Sequence, residues 1–140
     1  MRVLDGAELI TASPVRASIE LEYADPQEFS ASWMIDPDDP IFRGHYPGFL
    51  IYPGVCLIES AHQVAMAHAS AVGRSMALVQ IESARFRRPV FPGHRITVTG
   101  KTTDAEDGDL RCTATVRSIR EDGIPGEAAR IRLRYTRRIR

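Results

Sequence analysis

Two side chains able to transfer protons stand fourteen positions apart in this sequence. His45 lies in a segment dense in glycine and proline, and an imidazole with a pKa near neutrality can accept a proton at working pH. Glu59 is the only formal charge between Gly54 and Gly73. Because burial disfavours a carboxylate, we expect the pKa of Glu59 to be raised, which would suit it to donate a proton.

The residues around this acid supply two further groups. A helix is predicted from Gly54 to about Val72, and the first amides of that helix, at Gly54 and Val55, would stabilise negative charge on a carbonyl oxygen. Gln63 follows Glu59 by one turn, in position to hydrogen-bond and orient its carboxyl. A base, an acid and an oxyanion site are the parts that β-elimination next to a thioester requires.

Alternation of apolar and polar residues predicts strands on both sides of the helix. Residues 17–23 and the run from Phe29 to Ile35 alternate before it, and a loop rich in glycine and proline is expected over residues 41–53. The strands predicted after the helix lie at residues 77–81 and 84–90, which flank a bend, from residue 96, at 110–116 and at 130–135.

These elements predict the fold class. A helix with almost no charged face must be covered nearly all round, and in 140 residues only a sheet curling around it can do so. The expected architecture is one α+β domain over residues 1–140, with an antiparallel sheet wrapped around one long central helix. Such a sheet leaves edges, and pairing them in a dimer is the usual solution.

Charge and composition narrow the classes of partner. The formal net charge is zero, so no bulk attraction to nucleic acid or to an anionic membrane is expected. Residues 1–60 carry ten carboxylates and three arginines, whereas residues 61–140 carry fifteen basic groups and eight acids. An acidic partner should therefore bind surface built by the second half.

Two other features of the sequence predict the compartment. Cys56 and Cys112 lie in apolar surroundings without metal-ligand spacing, which favours buried thiols in a reducing cytoplasm. The first residues do not have the pattern of a secretory signal, and no stretch is long and apolar enough to span a bilayer. We therefore expect a cytoplasmic protein.

Two segments resemble a known family. GHYPGFLIYPGVCLIESAHQ, residues 44–63, resembles the signature of 3-hydroxyacyl-[acyl-carrier-protein] dehydratases, in which His45, Glu59 and Gln63 keep the family's spacing. ARFRRPVFPG, residues 84–93, is similar to a second strand and turn of that family, so the resemblance covers roughly residues 30–136.

The resemblance implies a hotdog fold and a dimer whose long helices lie side by side. Each active site would take His45 from one subunit and Glu59 from the other, at the end of an acyl tunnel. A (3R)-3-hydroxyacyl chain would arrive on the phosphopantetheine of an acyl carrier protein and leave as a trans-2-enoyl thioester, with no metal and no bound cofactor. A glutamate at the acid position resembles the branch that dehydrates without isomerising.

The same resemblance assigns residues to the substrate and to the carrier protein. Those expected to line the tunnel are Tyr46, Pro47, Phe49, Pro53 and Phe86. Arg85, Arg87 and Arg88 would dock the acidic carrier protein, the alternative being that they are only the solvent face of strands.

The sequence departs from the family pattern at several positions. Leu50 replaces a proline, His94 replaces an aspartate, and His62 stands where a small apolar residue is usual; we interpret His62 and His68 as packing or helix-surface residues and not as ligands. These departures fit polyketide or polyene assembly as well as fatty-acid biosynthesis. Two other functions stay open, a non-catalytic helper that pairs with a second hotdog chain, and a hotdog thioesterase. The assembly could accordingly be a homo-oligomer or a heterodimer.

Overall fold

The computed structural model describes residues 19–44, 51–119 and 123–137. In these ranges the chain forms six strands and two α-helices, which we number in chain order. They are β1 Leu21–Ala24, β2 Glu28–Met34, α1 Ile41–Gly44, α2 Gly54–Ala71, β3 Met76–Phe86, β4 Arg95–Asp104, β5 Leu110–Ile119 and β6 Pro125–Arg137.

All six strands belong to one antiparallel sheet in the order β1-β2-β4-β5-β6-β3. The alternation that predicts strands also selects the buried face: in β5 the side chains of Leu110, Cys112, Ala114 and Val116 all lie in the core. The helix α2 packs on that face and contacts every strand. This is the predicted α+β architecture, with four antiparallel strands after one long helix.

The helix begins and ends close to the predicted residues. Pro53 precedes it in an extended conformation, and Gly73 follows it with a φ of +73°, a left-handed conformation that favours glycine. The side chains that face the sheet are small or apolar, apart from Ser60 and His68. The buried residues are Cys56, Leu57, Ser60, Ala61, Val64, Ala65, His68 and Ala69.

The expectation that the sheet covers the helix nearly all round is wrong for the single chain. Val55 is 59% exposed, and a stripe that includes Ile58, Glu59 and Met66 is only half-buried. Six strands form an open sheet with two edges, and an open sheet packs against one side of a helix. The near absence of charge on the other side of the helix is therefore not explained by the chain's own sheet.

The short helix α1 and the strand β3 differ from the sequence prediction. Residues 41–44, predicted as loop, form the short helix α1, because the carboxylate of Asp39 accepts the amide of Ile41 at 3.0 Å and Phe42 is buried in the core. Residues 77–81 and 84–86, predicted in two separate strands, belong to the single strand β3, whereas residues 87–90, predicted to continue the second, lie outside any strand. The predicted bend is absorbed by two register shifts against β6 instead of a break.

The first predicted strand is shorter than expected within the described residues. β1 begins at Leu21 and ends at Ala24, where the carboxylate of Asp25 accepts the amides of Gln27 and Glu28 at 2.8 and 2.7 Å. This turn leads directly into β2, as the proline at position 26 predicts.

Both cysteines are buried free thiols, as predicted. Burial raises the pKa of Cys56 to about 11 and that of Cys112 to about 12, so both stay protonated at neutral pH. Neither helix in the described ranges is long and apolar enough to cross a membrane.

Candidate active site

The predicted base lies outside the described residues, as do three of the predicted tunnel residues. These are His45, Tyr46, Pro47 and Phe49. The described part of the site is therefore the part on α2, which carries the predicted acid and the predicted oxyanion amides.

Glu59 lies in the second turn of α2 on the half-buried stripe. The side-chain amide of Gln63 donates a hydrogen bond to Oε2 of Glu59 at 3.2 Å, which confirms the contact predicted from the spacing of one helical turn. Because Gln63 is itself on the helix, this bond fixes the direction of the carboxyl relative to the helix axis.

The start of α2 is shaped by an aromatic ring from β3. A Cβ atom added at Gly54 would lie 2.9 Å from Cζ of Phe86, so only glycine lets this ring rest against the first turn. The amides of Cys56 and Leu57 donate to the carbonyl of Pro53. The amides of Gly54 and Val55 stand at the start of the helix, where no helical carbonyl lies one turn earlier to accept them. Pro53 provides no side-chain cap.

A cleft of about 350 Å³ joins the two segments that the sequence singled out. Gly54 and Leu57 line it from α2, and Phe86, Arg87 and Arg88 line it from the end of β3 and the residues that follow. The amide of Tyr52 donates to the carbonyl of Val90 at 2.7 Å and holds the two segments together. Of the described tunnel residues, Pro53 is buried and Phe86 is half-exposed beside this cleft.

The three predicted docking arginines are all exposed, but their surroundings differ. Nε of Arg87 lies 2.6 Å from the carboxylate of Glu127, which also pairs with Arg130. These partners, Arg130 first, lower the pKa of Glu127. The guanidinium of Arg88 lies over Gly126, where any side chain would collide with it. Arg85 stands opposite Arg130 in the β3–β6 pairing.

The sequence did not predict a polar pair one turn beyond Glu59. Nδ1 of His62 lies 2.8 Å from the hydroxyl of Tyr135, and the two rings are stacked. Tyr135 is fully buried in β6. Burial lowers the pKa of His62 despite the opposing charge of Glu59, and burial raises the pKa of Tyr135.

Of the two roles expected for His62 and His68, packing and helix surface, the structure gives both residues the packing role. The imidazole of His68 is fully buried, and its Nε2 lies 2.7 Å from the carbonyl of Asp25 at the β1–β2 turn. The partners of both histidines come from distant sequence, 73 positions away for His62 and 43 for His68. No local spacing signals such contacts.

Solved structures share this architecture. The hypothetical thioesterase with coenzyme A from Streptococcus pneumoniae aligns with a TM-score of 0.68 at 9% identity, over 86% of this chain and 88% of that one. The dehydratase heterocomplex ApeI:P from Xenorhabdus doucetiae aligns with a TM-score of 0.62 at 19% identity, over 86% and 100%. The chain therefore has the hotdog fold, as predicted.

The sequence comparisons identify the protein family, which the fold alone does not. Residues 21–120 match the family model of ApeI-like dehydratases, described as ApeI dehydratase. The 3-hydroxyacyl-[acyl-carrier-protein] dehydratase FabZ of Symbiobacterium thermophilum is 32% identical over 117 residues, which span 69% of this chain and 79% of that protein. FabZ of Mannheimia succiniciproducens is 28% identical over 85% of this chain and 94% of that protein. The chain belongs to the ApeI-like dehydratase family, which confirms the resemblance read from its two motifs.

Proposed function

We propose that this protein dehydrates (3R)-3-hydroxyacyl thioesters carried by an acyl carrier protein, giving trans-2-enoyl thioesters and water. The observation that carries the proposal is the placement of Glu59 on α2, where Gln63 holds its carboxyl. Glu59 lies one turn beyond the uncapped amides at the start of the helix, and that start lines a cleft. An acid next to an oxyanion site is an arrangement suited to elimination beside a carbonyl. The membership of a dehydratase family supports the same chemistry.

In the proposed reaction, His45 removes a proton from the carbon next to the thioester carbonyl. The negative charge that develops on the carbonyl oxygen is stabilised by the amides of Gly54 and Val55 and by the positive end of the α2 dipole. Glu59, oriented by Gln63, protonates the β-hydroxyl as its C–O bond breaks, and water leaves. The proton held by His45 then returns to Glu59 through solvent, so the step balances without a metal ion or a bound cofactor.

We further propose that the site is completed by a second hotdog subunit. The half-exposed stripe of α2 is nearly uncharged, which suits a helix that packs on a partner helix. β3 is an edge strand with Val79 and Ile81 about half exposed, so it offers unpaired backbone groups and apolar surface. In such a dimer His45 of one subunit would act with Glu59 of the other.

The carrier protein is proposed to dock on Arg85, Arg87 and Arg88. One observation supports this surface, since Arg87 and Arg88 line the cleft that contains Gly54. The chemistry of the proposed partner agrees with it, because guanidinium groups bind a phosphodiester such as that of phosphopantetheine well. Arg88 lies against Gly126, and none of the described carboxylates forms an ion pair with it. We therefore expect Arg88 to contribute more than Arg87, which is paired with Glu127.

The test is turnover of purified protein with 3-hydroxyacyl carrier proteins of graded chain length, followed by mass spectrometry of the products. We expect enoyl product from the wild type and a loss of roughly 10²–10⁴-fold in His45→Ala and in Glu59→Gln. Glu28→Gln, at an exposed position of β2, is the matched control and should keep full activity.

Two results would overturn the proposal. Release of free thiol in place of enoyl product would identify a thioesterase. Absence of turnover by the purified chain, with activity only after a second hotdog protein that retains its own histidine and acid is added, would identify a helper subunit.

A further inference from the structure

The proposed docking arginines belong to a wider basic patch at one end of the sheet. Strand pairing places Arg130 of β6 opposite Arg85 of β3, and Arg117 of β5 opposite Glu127 of β6. The patch thus crosses three neighbouring strands, and each of its arginines is exposed. Like charges directly opposite each other in a sheet repel, so such a patch favours binding of negative charge. We define this basic patch as Arg85, Arg87, Arg88, Arg117 and Arg130.

Among the described residues, Glu127 is the one carboxylate that forms ion pairs with the basic patch. Its Oε2 lies 2.6 Å from Nε of Arg87, and its Oε1 accepts a hydrogen bond from Nη2 of Arg130 at 2.8 Å. The bond from Arg130 is the main cause of the lowered pKa of Glu127, and the charge of Arg117 adds to it. One carboxylate therefore serves three arginines, and the patch keeps a net positive charge.

The arginines of the patch are accessible from solvent, whereas Glu127 is much less so. The side chains of Arg87 and Arg130 are each 55% exposed, and that of Glu127 is 22% exposed. The amide of Arg87 donates to the carbonyl of Ala128 at 2.8 Å, which holds the residues after β3 beside β6. A partner can therefore contact the guanidinium groups directly and compete with Glu127 for them.

The extent of the patch fits an acidic protein surface better than a single phosphate group. Neighbouring strands lie about 4.8 Å apart, so the arginines of β3 and β5 start about 10 Å apart, on either side of β6. A phosphodiester has two charged oxygens, too few for five guanidinium groups. Carboxylates spread over a protein surface can pair with all five. The patch is also built entirely by the basic second half of the chain, where an acidic partner is expected.

We propose that the carrier protein docks through its acidic side chains on the whole basic patch, and that Glu127 is an internal competitor which those side chains displace. This inference rests on the proposed dehydratase function and adds Arg117, Arg130 and Glu127 to the docking surface. Because Glu127 neutralises arginines in the free protein, part of the attraction for the partner is offset until it is displaced. Glu127 therefore sets how tightly the carrier protein is held.

The test measures kcat/KM for one 3-hydroxyacyl chain carried either on the carrier protein or on free 4′-phosphopantetheine, which has a phosphate but no protein surface. The ratio of the two values is the carrier-protein preference. At low salt Glu127→Gln should raise this preference by about two- to fivefold, the range of an exposed ion pair. The gain should vanish in about 0.5 M salt, where surface charges are screened. A folding defect cannot produce such a gain.

Asp109→Asn is the matched control for the change in total charge. It removes one carboxylate from a similar ion pair, between Asp109 and Arg134 at 2.8 Å. Asp109 lies eight residues before Arg117, which is about 26 Å along β5, and this exceeds the Debye length. The preference should therefore stay at the wild-type value in Asp109→Asn. A gain equal to that of Glu127→Gln would show that only total charge matters, and the inference would be wrong.

The remaining outcomes separate the inference from the function on which it rests. Arg117→Met should lower the preference, and an unchanged value would contradict the extension of the surface onto β5. An unchanged or lowered preference in Glu127→Gln overturns the inference alone; equal gains on both substrates, which leave the ratio unchanged, would identify the phosphate as the competing group. Failure of the wild type to form enoyl product from either substrate overturns the dehydratase proposal and the inference together.

Discussion

At the scale of single residues, the pairing of His62 with Tyr135 places a half-buried imidazole between α2 and β6. The titratable groups around it are Glu59 on the same helix, Tyr135 on β6 and, next to Tyr135, Cys112 on β5. Desolvation outweighs the carboxylate of Glu59, so the pKa of His62 is lower in the folded protein than in the unfolded chain. Neutral His62 is thus part of the stable fold.

This lowered pKa predicts a loss of stability in mild acid. Because the unfolded chain binds the proton first, stability is complete above the unfolded pKa of about 6.5 and falls as the pH drops toward the lower folded pKa. Urea unfolding at about pH 7.5 and pH 5.5 should show a smaller fall in His62→Leu than in the wild type. Tyr135→Phe leaves the imidazole buried and should retain the fall; an equal fall in His62→Leu would contradict this account.

The contact of Gly54 with Phe86 gives a second prediction at this scale. Gly54→Ala should lower kcat/KM, because the new methyl group displaces the ring that lines the cleft beside the oxyanion amides. Phe86→Ala in the same chain removes the collision, so the double variant should lose less than the two single losses combined. Strictly additive losses in the double-mutant cycle would show that the ring and the helix start are independent.

At the scale of elements, the edge strand β3 is tied to the sheet by a bridge that crosses its neighbour. Arg111 on β5 donates to both carboxylate oxygens of Glu82 on β3, at 2.6 and 3.1 Å, and β6 lies between the two strands. Glu82 lies where the register of β3 against β6 shifts. The bridge therefore holds the irregular part of the edge strand in place.

Hydrogen bonding from Arg111 lowers the pKa of Glu82 below its ordinary value. A depressed folded pKa contributes stability that is present above the unfolded pKa of a glutamate, about 4.3, and is lost as the pH falls through the folded value. Glu82→Gln should therefore lower the urea midpoint at neutral pH, with the difference from the wild type disappearing in acid. Glu28→Gln, at an exposed position of β2, should show no such difference, and a gap between Glu82→Gln and the wild type that persists at low pH would contradict the assignment.

The elements were predictable where the signal is local. Period-two alternation gave β2 and β5, and the uncharged run ended by Gly73 gave α2. The continuity of β3 was not predictable, because its register shifts depend on pairing with β6, about fifty residues later. Likewise the spacing of four predicted the bond from Gln63 to Glu59, whereas the pairing of His62 with Tyr135 exists only once α2 lies on the sheet.

At the scale of the whole molecule, the uncovered stripe of α2 and the open edge of β3 are surfaces that one chain does not bury. The sequence alone suggested that its own sheet would cover the helix, and the open six-stranded sheet shows that it does not. A second hotdog subunit would cover both surfaces and bring a second copy of His45 toward Glu59. The proposed reaction is then a property of the dimer.

The most direct test uses a mixed dimer assembled from one His45→Ala chain and one Glu59→Gln chain, each with a different affinity tag, purified through both tags in turn. If His45 acts with Glu59 of the other subunit, one of the two sites holds both groups and the dimer should dehydrate 3-hydroxyacyl carrier protein at about half the wild-type rate. The two parent homodimers should be inactive. A mixed dimer as inactive as its parents would contradict a site shared between subunits.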